Sequence, residues 1–103
     1  MSGSARPYRL TPQAERDLEE IWFYTFENWS AEQAARYHNQ IMAAIEGLAD
    51  GSRQGRAIDD IRPGYRKMAV ASHVLFYRIA DAGTIDIVRI LHQRMDVPSR
   101  LPD

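Results

Sequence analysis

Short apolar runs separated by turn residues occupy the second half of the chain and predict β-strands. The three runs are Tyr65 to Ala71, His73 to Ile79 and Thr84 to Leu91. The turn sequence Arg62-Pro63-Gly64 precedes them, and reversals at residues 71–72 and 81–83 separate them, the second containing a glycine that permits positive φ. Strands joined by such short reversals predict an antiparallel meander of three strands.

The last two runs carry apolar residues on both faces, as central strands do. One face of the middle run has Val74 and Phe76 and the other has Leu75, Tyr77 and Ile79, while the last run has Ile85 and Ile87 opposite Val88 and Ile90. We therefore expect helices to cover one face of the sheet, and either the C-terminal tail or a partner protein to cover the other.

An amphipathic helix is predicted from Pro12 to Asn28, because Thr11 can cap its first amides and proline suits the first helical position. Helical spacing gathers an apolar stripe of Ala14, Leu18, Ile21, Trp22, Thr25 and Trp29. Phe23 points the opposite way, with Tyr24 on the shoulder of the stripe. An outward phenylalanine is either an isolated surface residue or part of a partner-binding patch, and Tyr24 adds weight to the patch.

A second helix is predicted to begin at Ser30, which forms a capping box with Gln33, and to end near Asp50-Gly51, where glycine can take the left-handed conformation. Its apolar stripe comprises Ala34, Tyr37, His38, Ile41, Ile45 and Leu48. The two helices therefore form a hairpin. Gly47, inside the second helix, marks either a close crossing of backbones or early fraying.

The order of these elements predicts an α+β fold with one sheet and the helices on one of its faces. A short edge strand, Arg6 to Leu10, comes before the helical hairpin, and a polar loop, Ser52 to Asp60, returns the chain to the sheet. At 103 residues the chain has room for one core. We expect a flexible lead-in at residues 1–5, a single domain at residues 6–96 and a C-terminal tail at residues 97–103.

Composition excludes several classes of function. The chain is 45% hydrophobic and 26% charged, which is typical of a soluble globular domain and predicts no membrane span. The formal net charge is −1, so no overall basic field attracts nucleic acid, and we expect the chain alone not to bind it. The absence of cysteine excludes disulfides and thiolate chemistry and fits a reducing cytoplasm.

Three histidines could carry chemistry, but none forms a metal-type pair with another histidine or a carboxylate at close helical spacing, so we predict no metal site and no cofactor. His38 lies on the apolar stripe of the second helix, where a hydrogen-bonded core or boundary role is expected. His73 sits beside a turn and is expected to be exposed. His92 ends the last strand, so it is either a strand-end residue bonded to backbone or part of a site where several elements converge.

A metal-independent ribonuclease would need cationic groups at the scissile phosphate and a residue that moves the 2′-hydroxyl proton. The residues that could supply these groups are Arg66, Lys67, Arg78, Arg89, Arg94 and His92. Cations on strand faces are usually solvated, and Asp81, Asp86 and Asp96 dilute the positive field. Arg89 also has a structural alternative, an ion pair with Asp86 or Asp96. From the residues alone, protein binding is as well supported as catalysis.

Several segments of the chain resemble ParE toxins of the RelE/ParE superfamily, which belong to bacterial type II toxin–antitoxin systems. The early segments are residues 8–18 (YRLTPQAERDL), 29–34 (WSAEQA) and 55–56 (GR). The closing segments are the most telling: residues 61–66 (IRPGYR), 73–78 (HVLFYR) and 89–96 (RILHQRMD). The resemblance covers essentially the whole chain after the lead-in, and it implies the superfamily's fold of strand, helical hairpin, loop and three-stranded meander.

The resemblance also implies a toxin that causes growth arrest, takes part in plasmid stabilisation and forms a hetero-oligomer with a ParD-like antitoxin. Toxins of this type are associated with inhibition of DNA gyrase or a related topoisomerase, by binding and without bond-breaking chemistry of their own. RelE-like relatives instead cleave messenger RNA on the ribosome, using basic sheet residues and usually a tyrosine or histidine near the C-terminus. No tyrosine follows His92 here, which favours gyrase inhibition.

The residues expected to contact the target lie in the last two strands and the segment after them: Arg78, Arg89, His92, Arg94, Met95 and Asp96. Phe23 and Tyr24 are the candidates for antitoxin contact, because the resemblance implies an antitoxin whose C-terminal segment wraps the helical hairpin and the sheet. No catalytic residue is predicted. Two alternatives stay open: a RelE-like ribosome-dependent mRNA endonuclease, and a non-toxic binding module with the toxin fold.

Overall fold

The computed structural model describes residues 7–95, 97 and 100–102, so the predicted lead-in and Asp96 lie outside the described residues. The elements are, in chain order, β1 (Tyr8–Leu10), α1 (Pro12–Asn28), α2 (Ala31–Asp50), β2 (Arg56–Ala57), β3 (Arg66–Val70), β4 (His73–Ile79) and β5 (Ile85–His92). A short 3-10 turn, Asp81–Gly83, joins β4 to β5. The predicted α+β class is confirmed.

The strands form one sheet in the order β1-β5-β4-β3-β2. β3, β4 and β5 are the predicted antiparallel meander, and β1 runs parallel to β5 at one edge. The sequence predicts only a loop from Ser52 to Asp60, but β2 lies inside that segment and pairs with the start of β3 at the opposite edge. A strand of two residues between polar neighbours has too little periodicity to be predicted from sequence.

Both helices are capped by the residues that the sequence predicts. Thr11 Oγ1 accepts the N–H of Ala14 at 3.1 Å, and Ser30 Oγ accepts the N–H of Gln33 at 3.0 Å. Each side chain thereby satisfies an amide that has no partner within the first turn of its helix. α2 ends at Gly51, whose φ of 84° is the left-handed conformation that glycine adopts without strain.

The sheet is covered on both faces, as its two-sided apolar strands predict. The helices cover one face over a core of Ala14, Ile41, Ala44, Ile45, Leu48, Val70, Leu75, Tyr77, Ile85, Ile87 and Ile90. The other face carries a smaller cluster of Ile58, Tyr65, Phe76, Val88, Leu91 and Leu101, which we call the back-face cluster. Leu101 is 5% exposed, so the C-terminal tail supplies the cover on this face.

A β-bulge in β5 changes which residues face the helices. Phe76 and Tyr77 are adjacent in β4, but their partners in β5 are two residues apart, so Val88 is an extra residue. Beyond the bulge the alternation is reversed, and Ile90 packs under the helices instead of lying on the face of Val88. The prediction for Ile90 is therefore wrong, because simple alternation assumes a strand without a bulge.

Trp29 and Gly47 in the helical hairpin both differ from the predictions made for them. Trp29 is 75% exposed instead of lying on the apolar stripe, because α1 ends at Asn28 and helical spacing no longer directs the next side chain. At Gly47 the helix continues without fraying, and an added Cβ would lie 2.7 Å from Arg53 Cγ. Neither interpretation of Gly47 is therefore right: the helix does not fray, and the close neighbour is the Arg53 side chain and not a crossing backbone.

Candidate docking surface

Several aromatic side chains project from α1, from half-buried Trp22 at the groove between the helices to exposed Phe23, Tyr24 and Phe26. The Trp22 ring stacks on Phe26 with centroids 5.3 Å apart and meets Phe23 edge-on at 5.5 Å. Phe23 is 54% exposed, as its predicted outward position requires, while Tyr24, predicted at the shoulder of the stripe, is 66% exposed and Trp29, just after the helix, is 75% exposed. We call these five residues the aromatic patch. Exposed aromatic side chains gathered on one element are typical of a protein-binding surface.

A groove between the two helices begins at the aromatic patch. Trp22 and Phe23 of α1 line one side, His38 and Met42 of α2 line the other, and the groove has a volume of about 570 Å³. His38 is half-buried, which fits the predicted boundary role. Mostly apolar walls beside exposed aromatic rings extend the surface on which a partner could bury side chains.

A second groove follows α1 to the end of β5 and also has a volume of about 570 Å³. Its walls include Tyr24 of α1, His73 of β4, Arg89 and His92 of β5, and Met95 in the turn that follows. We call this the β5 groove. It brings together three of the predicted target-contacting residues, Arg89, His92 and Met95, and one residue predicted to contact the antitoxin, Tyr24.

Asp17 of α1 fixes Arg89 in the wall of the β5 groove. Nε and Nη2 of Arg89 donate to the two carboxylate oxygens at 2.7 and 2.9 Å, and the Ile90 N–H donates to the same carboxylate at 3.0 Å. Hydrogen bonding to Asp17 raises the pKa of Arg89. Arg89 thus makes the kind of structural ion pair that the sequence allows, but with Asp17 and not with Asp86, which pairs with Arg9.

His73 and His92 lie edge to face in the β5 groove, with ring centroids 5.4 Å apart. His73 is half-buried, so the prediction that it is exposed is wrong: Tyr37 reaches across from α2 and places its hydroxyl 2.6 Å from His73 Nδ1. Burial lowers the pKa of His73, and the neighbouring His92 lowers it further. Burial also raises the pKa of Tyr37, so its hydroxyl keeps the proton that it can donate to a neutral His73.

His92 makes the backbone contact expected of a strand-end histidine, the first of its two interpretations. His92 Nδ1 accepts the backbone N–H of Arg94 at 3.2 Å, as a strand-end histidine bonded to backbone does. An Nδ1 that acts as acceptor leaves Nε2 to carry the proton of the neutral ring. That tautomer suits donation of a hydrogen bond to a binding partner better than removal of a proton from a substrate.

Of the remaining predicted target contacts, Arg94 lies beside His92 and Arg78 does not. Arg94 is exposed in the turn after β5. The Arg78 guanidinium lies 4.9 Å from the centre of the Tyr65 ring, a residue of the back-face cluster, so Arg78 belongs to the opposite face of the sheet. Arg66, one of the cations considered for catalysis, donates to the Gly55 carbonyl at 3.0 Å near the β2 edge.

Asp17 is the functional-site residue that sequence reasoning missed. It lies three residues after Ala14 and four before Ile21, so helical spacing places it on the apolar stripe of α1. A carboxylate on a buried stripe needs a cationic or hydrogen-bonded partner, and that requirement was the available signal. Nothing in the sequence of α1 says that the partner is Arg89, because that pairing depends on how the helix crosses β5.

The part of the chain that the structure describes contains neither a metal-binding group nor a membrane-spanning helix. No group of three or more histidine, cysteine or acidic side chains there is placed to hold a metal ion. No helix among those residues is long and apolar enough to cross a membrane.

Comparison with known proteins gives consistent matches over nearly the whole chain. The family model described as the ParE toxin of type II toxin-antitoxin system, parDE, matches residues 8–97. "Toxin ParE1" of Mycobacterium tuberculosis is 52% identical over 94 residues, covering 91% of this chain and 96% of that protein. "Toxin ParE1" of Caulobacter vibrioides is 41% identical over 96 residues, covering 93% of this chain and 98% of that protein.

A solved structure has the same fold. The structure titled "Chromosomal ParDE TA system from P. aeruginosa" superposes with a TM-score of 0.74 at 20% identity, over 87% of this chain and 98% of that chain. The RelE/ParE-like fold that the sequence predicts is confirmed, with one strand more than predicted.

Proposed function

The chain belongs to the ParE toxin family of type II toxin–antitoxin systems, and from this premise we propose that it inhibits DNA gyrase by binding and is neutralised by a ParD-like antitoxin. The observation that supports a binding mechanism is the set of exposed aromatic side chains on α1 together with the β5 groove, which Tyr24 of the same helix lines. Tyr24 belongs to both, so one partner on α1 and another at His92 would compete for space.

An antitoxin is the partner that the comparisons support, because the structure from P. aeruginosa is titled as a ParDE toxin–antitoxin system. We assign antitoxin contact to the aromatic patch, with Phe23 and Tyr24 as its predicted anchors. Large aromatic side chains that project from a rigid helix bury much apolar area for little loss of conformational freedom. The groove beside Phe23 extends that area along the helical hairpin.

Gyrase binding is assigned to the β5 groove and the turn after β5. His92, Met95 and Arg94 are the predicted contacts that remain available there, since Arg89 is bound to Asp17. Asp96 stays a predicted contact outside the described residues. Arg78 would take part only if the target also reached the opposite face of the sheet.

RelE-like cleavage of mRNA is the second candidate, and His92 in a groove is the observation in its favour. Phosphodiester cleavage requires cations that converge on the phosphate at the proton-transfer residue. In the β5 groove the cations Arg89 and Arg100 are accompanied by the acids Asp17 and Glu20, which cancel their charge. This arrangement favours binding over cleavage.

Purified protein added in parallel to a gyrase supercoiling assay and a ribosome-programmed mRNA cleavage assay tests the proposal. Inhibition of supercoiling without cleavage is the expected result. mRNA cleavage that disappears in His92→Ala would overturn it. The third alternative, a non-toxic binding module, is decided by expressing the chain without its antitoxin, because a module of that kind causes no growth arrest.

A further inference from the structure

The C-terminal tail lies on the sheet as a ligand lies in a peptide-binding site. Leu101 is 5% exposed and packs in the back-face cluster, while its neighbours Arg100 and Pro102 are exposed. The side chain on either side of the leucine is therefore left in solvent. One buried anchor between exposed neighbours is the pattern of a short linear segment held by a single side chain.

The sheet also binds the backbone on both sides of that anchor. Arg89 Nη1 donates to the Arg100 carbonyl at 3.2 Å, and the Tyr65 hydroxyl donates to the Pro102 carbonyl at 2.9 Å. These two donors do not select the residue types at the flanking positions, because they bind main-chain carbonyl oxygens only. The selective element is the apolar cluster, which accepts a branched aliphatic side chain.

We propose that the back-face cluster, with Arg89 and Tyr65 as its two backbone donors, is a recognition site for a short leucine-containing segment. In the free chain the site is filled in cis by Leu101. In a complex it takes the equivalent segment of a partner polypeptide, after that segment displaces the tail. The occupant is defined by the tail itself: a leucine between two accessible backbone carbonyls, without a requirement for charge.

Arg89 connects this site to the opposite face of the sheet. Its Nε and Nη2 are bound to Asp17 in the β5 groove, while its Nη1 holds the Arg100 carbonyl of the tail. A guanidinium is planar and rigid, so its N–H groups move together. A partner that moves Arg89 away from Asp17 would also move Nη1 away from the Arg100 carbonyl. This site is independent of which target the toxin inhibits.

The test uses the full chain and a fluorescein-labelled peptide of residues 97–103, VPSRLPD. In Leu101→Asp the tail can no longer fill the cluster, so the peptide should bind at least about tenfold more tightly than to the wild type, whose own tail competes at a high effective concentration. Arg100→Ala is the matched control, because it changes an exposed tail side chain and keeps the carbonyl; it should bind peptide like the wild type.

Two further measurements decide the inference. A peptide with aspartate in place of the leucine should fail to bind Leu101→Asp. Adding Tyr65→Phe to Leu101→Asp should weaken peptide binding by roughly three- to tenfold, the loss expected for one hydrogen bond. If Leu101→Asp does not fold, Leu101→Ala replaces it. Folded variants that bind the peptide no better than the wild type does, or that bind both peptides equally, overturn the proposal.

Discussion

Asp17 and Arg89 join α1 to β5 through two parallel hydrogen bonds across 72 residues of sequence, and the same carboxylate also accepts the Ile90 amide. Asp17 is 6% exposed, so its negative charge is compensated almost entirely by these three donors. The pair fixes the position of the helix that carries the aromatic patch relative to the strand that lines the β5 groove. Both proposed binding surfaces therefore depend on one ion pair.

Asp17→Ala should destabilise the fold strongly, because it leaves the Arg89 guanidinium and the Ile90 amide without their acceptor. Breaking one side of a buried pair costs about 3–5 kcal/mol, and we expect a loss at the lower end because Arg89 is partly exposed. Glu19→Ala, on the exposed side of the same helix, should change the free energy of unfolding by less than about 0.5 kcal/mol. Urea unfolding of both variants measures the difference; equal values would show that the pair is not structural.

Stability should fall as the pH drops below about 6.5, because the pKa of His73 is lowered in the folded state. The unfolded chain then binds a proton at His73 that the folded chain does not, so stability is complete above the unfolded pKa and is lost as pH falls towards the folded one. Asp17 acts in the opposite direction and raises this pKa, but burial and His92 outweigh it.

Thermal unfolding at pH 7 and pH 5 tests this dependence. His73→Gln should lose less stability than the wild type over that interval, because a titrating group is removed. His38→Gln is the control for the loss of one histidine, since His38 lies in the groove between the helices and away from His73. Identical pH profiles for all three proteins would show that His73 does not set the dependence.

Local sequence signals predicted most of the fold. Thr11, Ser30 and Gly51 set the helix limits through contacts within a few residues, and such contacts can be read from sequence. The bulge at Val88 was not predictable in this way, because it is defined by pairing with β4. The same limit applies to the site. Outward Phe23 follows from helical spacing, whereas the contact between Tyr37 and His73 depends on how α2 crosses the sheet.

Gly55→Ala should be much more destabilising than Gly47→Ala. A Cβ at Gly55 would lie 2.4 Å from the Lys67 carbonyl oxygen and 2.5 Å from the Tyr77 hydroxyl, and the backbone atom cannot move away without breaking the pairing of β2 with β3. We expect a loss of at least about 2 kcal/mol, in the range of overpacked sites. At Gly47 the nearest atoms to an added Cβ are side-chain carbons of Arg53, Cγ at 2.7 Å and Cδ at 2.8 Å, and not backbone atoms.

The gain in helix propensity at Gly47, roughly 1 kcal/mol, offsets part of the cost of moving Arg53, so Gly47→Ala should be clearly less destabilising than Gly55→Ala. Denaturant unfolding of the two single variants gives the comparison. A neutral Gly55→Ala would mean that β2 is not held closely against β3, and the short edge strand would then contribute little to the sheet.

Phe23→Ala should weaken antitoxin binding by about 2 kcal/mol, or roughly thirtyfold in Kd, because an exposed aromatic anchor loses the area that it buries in the complex. Ile79→Ala is the matched control: Ile79 is also an exposed apolar residue, at 46%, but it lies at the end of β4 and not on the aromatic patch.

Isothermal titration of each toxin variant with the purified antitoxin measures the effect. Supercoiling inhibition by Phe23→Ala should stay near the wild-type level, since target contact is assigned to His92 and Met95 in the β5 groove. In cells, Phe23→Ala should therefore stay toxic even when the antitoxin is expressed with it. Equal losses of antitoxin binding and gyrase inhibition would instead place both partners on the aromatic patch, and unchanged antitoxin affinity would remove Phe23 from the interface.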